Sequence, residues 1–184
     1  MASRTYIRFS LSSLAGPVMD AGAAIPPGQP SGVALTSCFE TYYDQTGVAS
    51  ASKYIFNATG SSQLGAAKSV QSDLFGALTG QGNVAGFLGA LATPTKIDRV
   101  CSFGLSPAAG GIATPWVNHY VLLRDAVFTS AQLQNGDDGT PVMSFSLTYT
   151  AAFWAFFATP SGGALGTRTA GGWDWNTNTS WNGG

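Results

Sequence analysis

The chain is short of charge, short of cysteine and nearly without histidine, and each shortage removes a class of function. Lys, Arg, Asp and Glu together make up 9% of its 184 residues, against about 25% in an ordinary soluble protein. Net charge is −1 with no basic run, so the electrostatic footprint of nucleic-acid binding is missing. Two cysteines, Cys38 and Cys101, are too few for a structural zinc site or a disulfide framework. Their apolar, strand-like surroundings predict buried free thiols. A single histidine, His119, and a single glutamate, Glu40, leave little for acid–base chemistry. Any Ser-His-Asp or Cys-His arrangement would have to run through His119, which sits inside a strand-like run where a hydrogen-bonded structural role is the default. No window reaches the roughly 18 uninterrupted apolar residues of a membrane helix.

Short motifs fail on context. Gly104-Leu-Ser-Pro-Ala108 has proline where a nucleophile elbow needs its second glycine. Gly80-Gln-Gly-Asn-Val-Ala85 imitates a dinucleotide fingerprint but follows a helix-like stretch rather than a strand. Asp137 and Asp138 lie between glycines with no further carboxylate nearby, which fits a turn better than a calcium loop. Nothing singles out a carboxylate pair for glycoside hydrolysis. No catalytic, cofactor or metal site is expected, and the chain is read as a non-enzyme.

Hydrophobic residues nevertheless reach 45%. With so few charges, much of that surface must be hidden, and hiding it in an assembly limits aggregation. A neutral monomer wetted by Ser, Thr, Asn and Gln is the other reading. The length suits one domain over residues 1–184 with a sizeable core.

The informative stretch is the last third, Trp116 to Trp181. An extended run from Val117 to Ser130 leads to a polar turn, Asn135-Gly-Asp-Asp-Gly139, and then to a strand-like run from Val142 to Phe157. Met143, Phe145, Leu147 and Tyr149 alternate with Ser144, Ser146, Thr148 and Thr150, giving one apolar and one hydroxylated strand face. Asn135-Gly and Asp138-Gly supply turn residues where φ must be positive. A long antiparallel hairpin is expected. Phe153, Trp154, Phe156 and Phe157 fall on both faces of its second strand, so both must be covered, one by the core and the other by a helix or a neighbouring subunit.

Upstream, Arg4 and Arg8 before an apolar stretch, with Ala21-Gly-Ala23 beyond, imitate a secretory leader. Ser10, Ser12, Ser13, Gly16 and Pro17 interrupt the apolar part, so Thr5–Phe9 is read as a strand. Ala21–Ser31 is read as a loop, Val33–Tyr43 as a strand, and Gln45–Asn57 as a small-residue loop rising into Lys53–Phe56. Leu64, Ala67, Gln71, Leu74 and Leu78 trace a helical stripe. Asn83 is placed to cap a second short helix bearing Phe87, Leu88 and Leu91, so a helical segment is expected over Ser61–Leu91. Thr95–Phe103 reads as a strand and Gly104–Pro115 as a loop.

Tyr120–Ser130, Pro141–Tyr149 and Thr159-Pro160 through the closing Gly172-Trp-Asp-Trp-Asn-Thr-Asn178 occur in an order that resembles the haemolysin-coregulated (Hcp) tube proteins of type VI secretion systems, relatives of phage tail-tube proteins. The resemblance implies a mainly β fold, two packed antiparallel sheets forming a barrel with one helical segment. It implies hexameric rings stacked into the hollow inner tube of a contractile apparatus, with sheath, spike and effector proteins as partners. Assembly in the bacterial cytoplasm and release after firing follow from it. Asp44, Gln45, Thr46, Gly47 and Val48 correspond to the arm that reaches the neighbouring ring. Trp173, Trp175 and Trp181 correspond to anchors of the closing strand, with Trp173 and Trp175 joining the β-run aromatics as core or interface candidates. The competing class is a secreted β-sandwich that stacks these tryptophans on sugars.

Overall fold

A computed structural model describes residues 4–14, 43–44, 54–63, 66–79, 84–111, 113, 115–135, 141–164 and 166–183. The strands are β1 (Arg4–Phe9), β2 (Tyr43–Asp44), β3 (Tyr54–Gln63), β4 (Ala66–Thr79), β5 (Ile97–Ser106), β6 (Trp116–Asn135), β7 (Pro141–Thr148), β8 (Ala151–Phe157), β9 (Arg168–Asp174) and β10 (Thr179–Ser180). Among the described residues the one α-helix is α1 (Val84–Ala92), and every strand pair is antiparallel.

β6 belongs to two sheets. Its first half lies between β5 and β8, inside the order β10-β9-β8-β6-β5-β1-β2, and its second half pairs with β7, which pairs in turn with β4 and β4 with β3. The hairpin read from the sequence is present, but its second strand breaks at Tyr149 and Thr150 into β7 and β8. Pairing keeps one register across the break, with Arg124 opposite Ala151 and Val127 opposite Thr148. The bend sits at Asp125, whose φ is 52°. There Thr150 N donates to Arg124 O at 3.0 Å, and Thr150 Oγ1 donates to Asp125 Oδ2 at 3.2 Å. Lys96 Nζ holds Asp125 Oδ1 from the neighbouring strand end at 2.9 Å.

The bend folds one sheet over the other. Ile7, Phe9, Val100, Val121, Leu123 and Ala152 of the first sheet share a core with Met143, Phe145 and Leu147 of β7 and with Phe87 of α1. Phe9, Phe87, Phe128 and Phe145 form a four-ring cluster with centroids 5.4–6.1 Å apart. Such pairs contribute about 0.5–1.5 kcal/mol each beyond area burial.

One expectation is corrected here. The helical segment over Ser61–Leu91 is a β-hairpin as far as Thr79, and only Val84–Ala92 is helical. Leu74 and Leu78 are four residues apart, a spacing that keeps side chains on one face of a helix and of a strand alike. That pair therefore could not separate the two, whereas the three-residue steps from Leu64 to Ala67 and from Gln71 to Leu74 fit a helix alone; pairing with the open side of β7, which β4 fills from Asp73 to Thr79, overrode that pattern. The mainly β fold of packed antiparallel sheets with one helix is as expected; among the described residues β2 passes close to β4 without pairing with it.

Candidate assembly surfaces

The first sheet carries three transverse rows on its core side. They run Phe9-Val100-Leu123-Ala152-Trp173, Ile7-Ser102-Val121-Trp154-Gly171 and Thr5-Gly104-His119-Phe156-Thr169. The first two end in the core at the β1 side, whereas the third runs out of it. Phe156 is 52% exposed, and its ring stacks on that of His119 with centroids 6.1 Å apart and 24° between planes. Glycine at 104 is what admits His119, because a Cβ there would stand 2.5 Å from His119 Cε1. Asn118 fixes the ring through its side-chain oxygen, which accepts from Nδ1, and donates through Nδ2 to Ser106 Oγ at 2.7 Å. Burial pushes the His119 pKa down, so the imidazole is neutral at physiological pH.

Trp154 is half-buried and lies over Gly171, while Trp173 is 37% exposed. Trp175 is turned inward. Its ring meets Tyr149 edge-on at 5.7 Å, and its amide donates to Thr150 O at 2.9 Å.

The opposite face of this sheet is covered in part by the chain's own tail. Phe103, Tyr120, Leu122, Phe153 and Ala155 form a second core with Trp181. Trp181 takes the guanidinium groups of Arg99 and Arg124 on its ring at 5.1 and 5.3 Å. Arg124 also pairs with the buried carboxylate of Asp174. The other Asp174 oxygen accepts from the amides of Asn176 at 2.9 Å and Thr177 at 3.3 Å. Burial raises the Asp174 pKa, but the Arg124 hydrogen bond and the two amides outweigh it and leave the group below the usual carboxylate range. Gly183, with φ of 86°, lays the tail against Leu122 and Phe153, and its carbonyl accepts from Arg99 Nη1 at 3.1 Å.

Solved structures with this arrangement include Hcp proteins. Hcp1 from Salmonella typhimurium is 12% identical with a TM-score of 0.64, covering 98% of this chain and 100% of its own. A protein described as a type six secretion system protein is 14% identical with a TM-score of 0.69 over the same shares. The chain has the Hcp fold. Secreted protein Hcp3 from Pseudomonas aeruginosa is also similar, at 15% identity and a TM-score of 0.52, with 95% and 99% covered. No protein-family model and no curated protein sequence matches the chain.

Within this Hcp fold the six aromatic candidates fall together on β8, β9 and the turn after β9, but in different states. Phe153 is buried under the tail, Trp154, Phe157 and Trp175 are half-buried, and Phe156 and Trp173 are exposed. Asp44 belongs to β2, opposite Tyr6, while Gln45, Thr46, Gly47 and Val48 lie outside the described residues. Cys101 is disulfide-bonded, which corrects the expected free thiol there. The absence of a cysteine framework excludes a multi-bridge scaffold, but a single bridge needs only two sulfurs brought into reach by the fold. Cys38 lies outside the described residues. Sequence reasoning assigned no surface role to Leu88 and Leu133, exposed apolar residues on α1 and β6. Their apolar character was visible, but not which side of each element the fold would leave uncovered.

Proposed function

We propose that the chain is a single-domain structural subunit of the hollow inner tube of a type VI or related contractile injection apparatus. Subunits close into hexameric rings, the rings stack, and effectors travel in the bore. The observation that carries this reading is the Hcp fold across nearly the full length of both chains compared. The low charge and the exposed Phe156 and Trp173 support it, because both call for an interface. In this role the chain does no catalysis, and the neutral His119 acts as a stacking partner for Phe156. Sheath, spike and effector proteins are its partners, and it is assembled in the bacterial cytoplasm before release.

Stacking is assigned to the segment Asp44–Val48, whose few large side chains bury little surface without a partner. The glycan-binding reading has less support, since Trp181 is buried under two arginines and Trp175 is packed on Tyr149. Electron microscopy of the purified protein tests the proposal. Rings or tubes are expected, and a species that stays at 18.9 kDa at all concentrations would sink it. Deleting Thr46–Ser50 should leave rings that no longer stack; full-length tubes from that variant would move the contact elsewhere.

A further inference from the structure

Cys101 lies in the middle of β5, buried in the second core with Phe103, Leu122 and Phe153. It is disulfide-bonded, and the sequence holds one other cysteine, Cys38. A bridge within one chain can therefore join only these two. Backbone reach agrees. Cys101 stands opposite Arg8 of β1, and Ile7, next to Arg8, stands opposite Tyr43 of β2. β2 is thus two strand spacings from β5, about 10 Å. Cys38 precedes Tyr43 by five residues, and five residues span at most about 18 Å.

Two observations make this bridge a switch rather than a foundation. Phe103, Val117, Tyr120 and Leu122 bury the second core by themselves, and a reduced Cys101 fits among them as a small apolar side chain. By contrast, β2 is two residues long and pairs only with β1 among the described residues. So short an edge strand opens at little cost, and it is the element a bridge from β5 would secure.

We propose that Cys38 and Cys101 form a redox latch that pins β2 to β5 across β1. In the reducing cytoplasm, where the tube reading places assembly, both are thiols. After release a small-molecule disulfide oxidises them. One cysteine thiolate attacks that disulfide and expels a thiolate, and the second cysteine displaces the other from the mixed disulfide. The protein dithiol becomes the bridge, the small disulfide becomes two thiols, and the two cysteine protons pass to them. Asp44 of β2 opens the segment to which stacking is assigned, so the latch fixes the root of that segment. This timing and consequence rest on the tube reading; the bridge and its hold on β2 do not.

The test compares the full chain in dithiothreitol with the full chain in glutathione disulfide. Oxidised protein should lose both alkylatable thiols and yield a peptide joining Cys38 to Cys101. Its thermal midpoint should stand roughly 5–15 °C above that of the reduced protein. Amide exchange in β2 should slow about tenfold or more. Cys38→Ser should match the reduced wild type in both conditions. Thiols that stay alkylatable in glutathione disulfide, or bridges found only between chains, would overturn the proposal. So would a bridge that leaves exchange in β2 unchanged, or a reduced chain that no longer folds, since a latch needs two folded states. Electron microscopy of the reduced protein reads ring formation separately. Rings without a bridge on oxidation would overturn the latch alone, whereas a bridge that slows β2 exchange in a protein that never forms rings would overturn the tube reading and leave the pinning of β2 standing.

Discussion

Asp174 stands in the closing Gly-Trp-Asp of the sequence and joins three segments at once. Its carboxylate pairs with Arg124 of β6 and holds the amides of the turn that leads into β10. Asp174→Asn keeps an oxygen for the turn but loses the charge-assisted bond, and about 1.5–3 kcal/mol of stability should go with it in urea unfolding. The same group sets the acid limit. Its folded pKa lies below the unfolded value, so its contribution is full above about pH 3.9 and is lost as pH falls through the folded value. Asp125 is depressed too, first by the hydrogen bond from Lys96, and acts in the same window. Below about pH 4 the midpoint of thermal unfolding should therefore drop in wild type, and by less in Asp174→Asn. His119 adds a loss at milder acidity. Its depressed folded pKa means the unfolded chain takes up the proton first below about pH 6.5, and His119→Gln should flatten that part of the profile.

At the scale of elements, α1 and the bend in β6 show what packing supplies that local preference does not. α1 holds Gly86 and Gly89 in nine residues and buries Phe87 and Ala90. It persists because Phe87 closes the four-ring cluster. Gly89 is exposed, and a Cβ there would meet nothing within 4 Å. Gly89→Ala should raise stability by about 0.5–1 kcal/mol, measured by denaturant midpoint. A loss would show that this face of α1 is covered. At the bend, Asp125 has a left-handed backbone that a β-branched residue tolerates poorly. Asp125→Val should cost about 1–3 kcal/mol. Asp125→Gly should cost less, since glycine accepts the angle and loses the same Lys96, Thr150 and Arg124 contacts that valine does.

For the whole molecule, sharing β6 between two sheets ties their fates together. The core spans β1, β5, β6, β7, β8 and α1, so neither sheet keeps its buried face if the other opens. Unfolding followed by tryptophan fluorescence and by far-ultraviolet circular dichroism should give superimposable transitions. Two separate midpoints would show that the sheets are independent units.

The alternation of Met143, Phe145 and Leu147 with serines determined β7 by itself, since a period of two leaves no other way to bury one face. The break between β6 and β7 was equally legible. Asn135, the last residue of β6, opens the Asn-Gly pair, and Asp138-Gly follows before Pro141 starts β7. Tertiary structure alone decided between helix and strand for Leu74 and Leu78, because a four-residue spacing satisfies both periods and the free side of β7 chose the strand. It also decided which tryptophans face solvent. Trp173, Trp175 and Trp181 stand in one polar, glycine-rich stretch, yet Trp181 is buried by Arg99 and Arg124, which belong to β5 and β6 far earlier in the chain. Local pattern fixes which face of an element is apolar; what covers that face depends on segments distant in sequence.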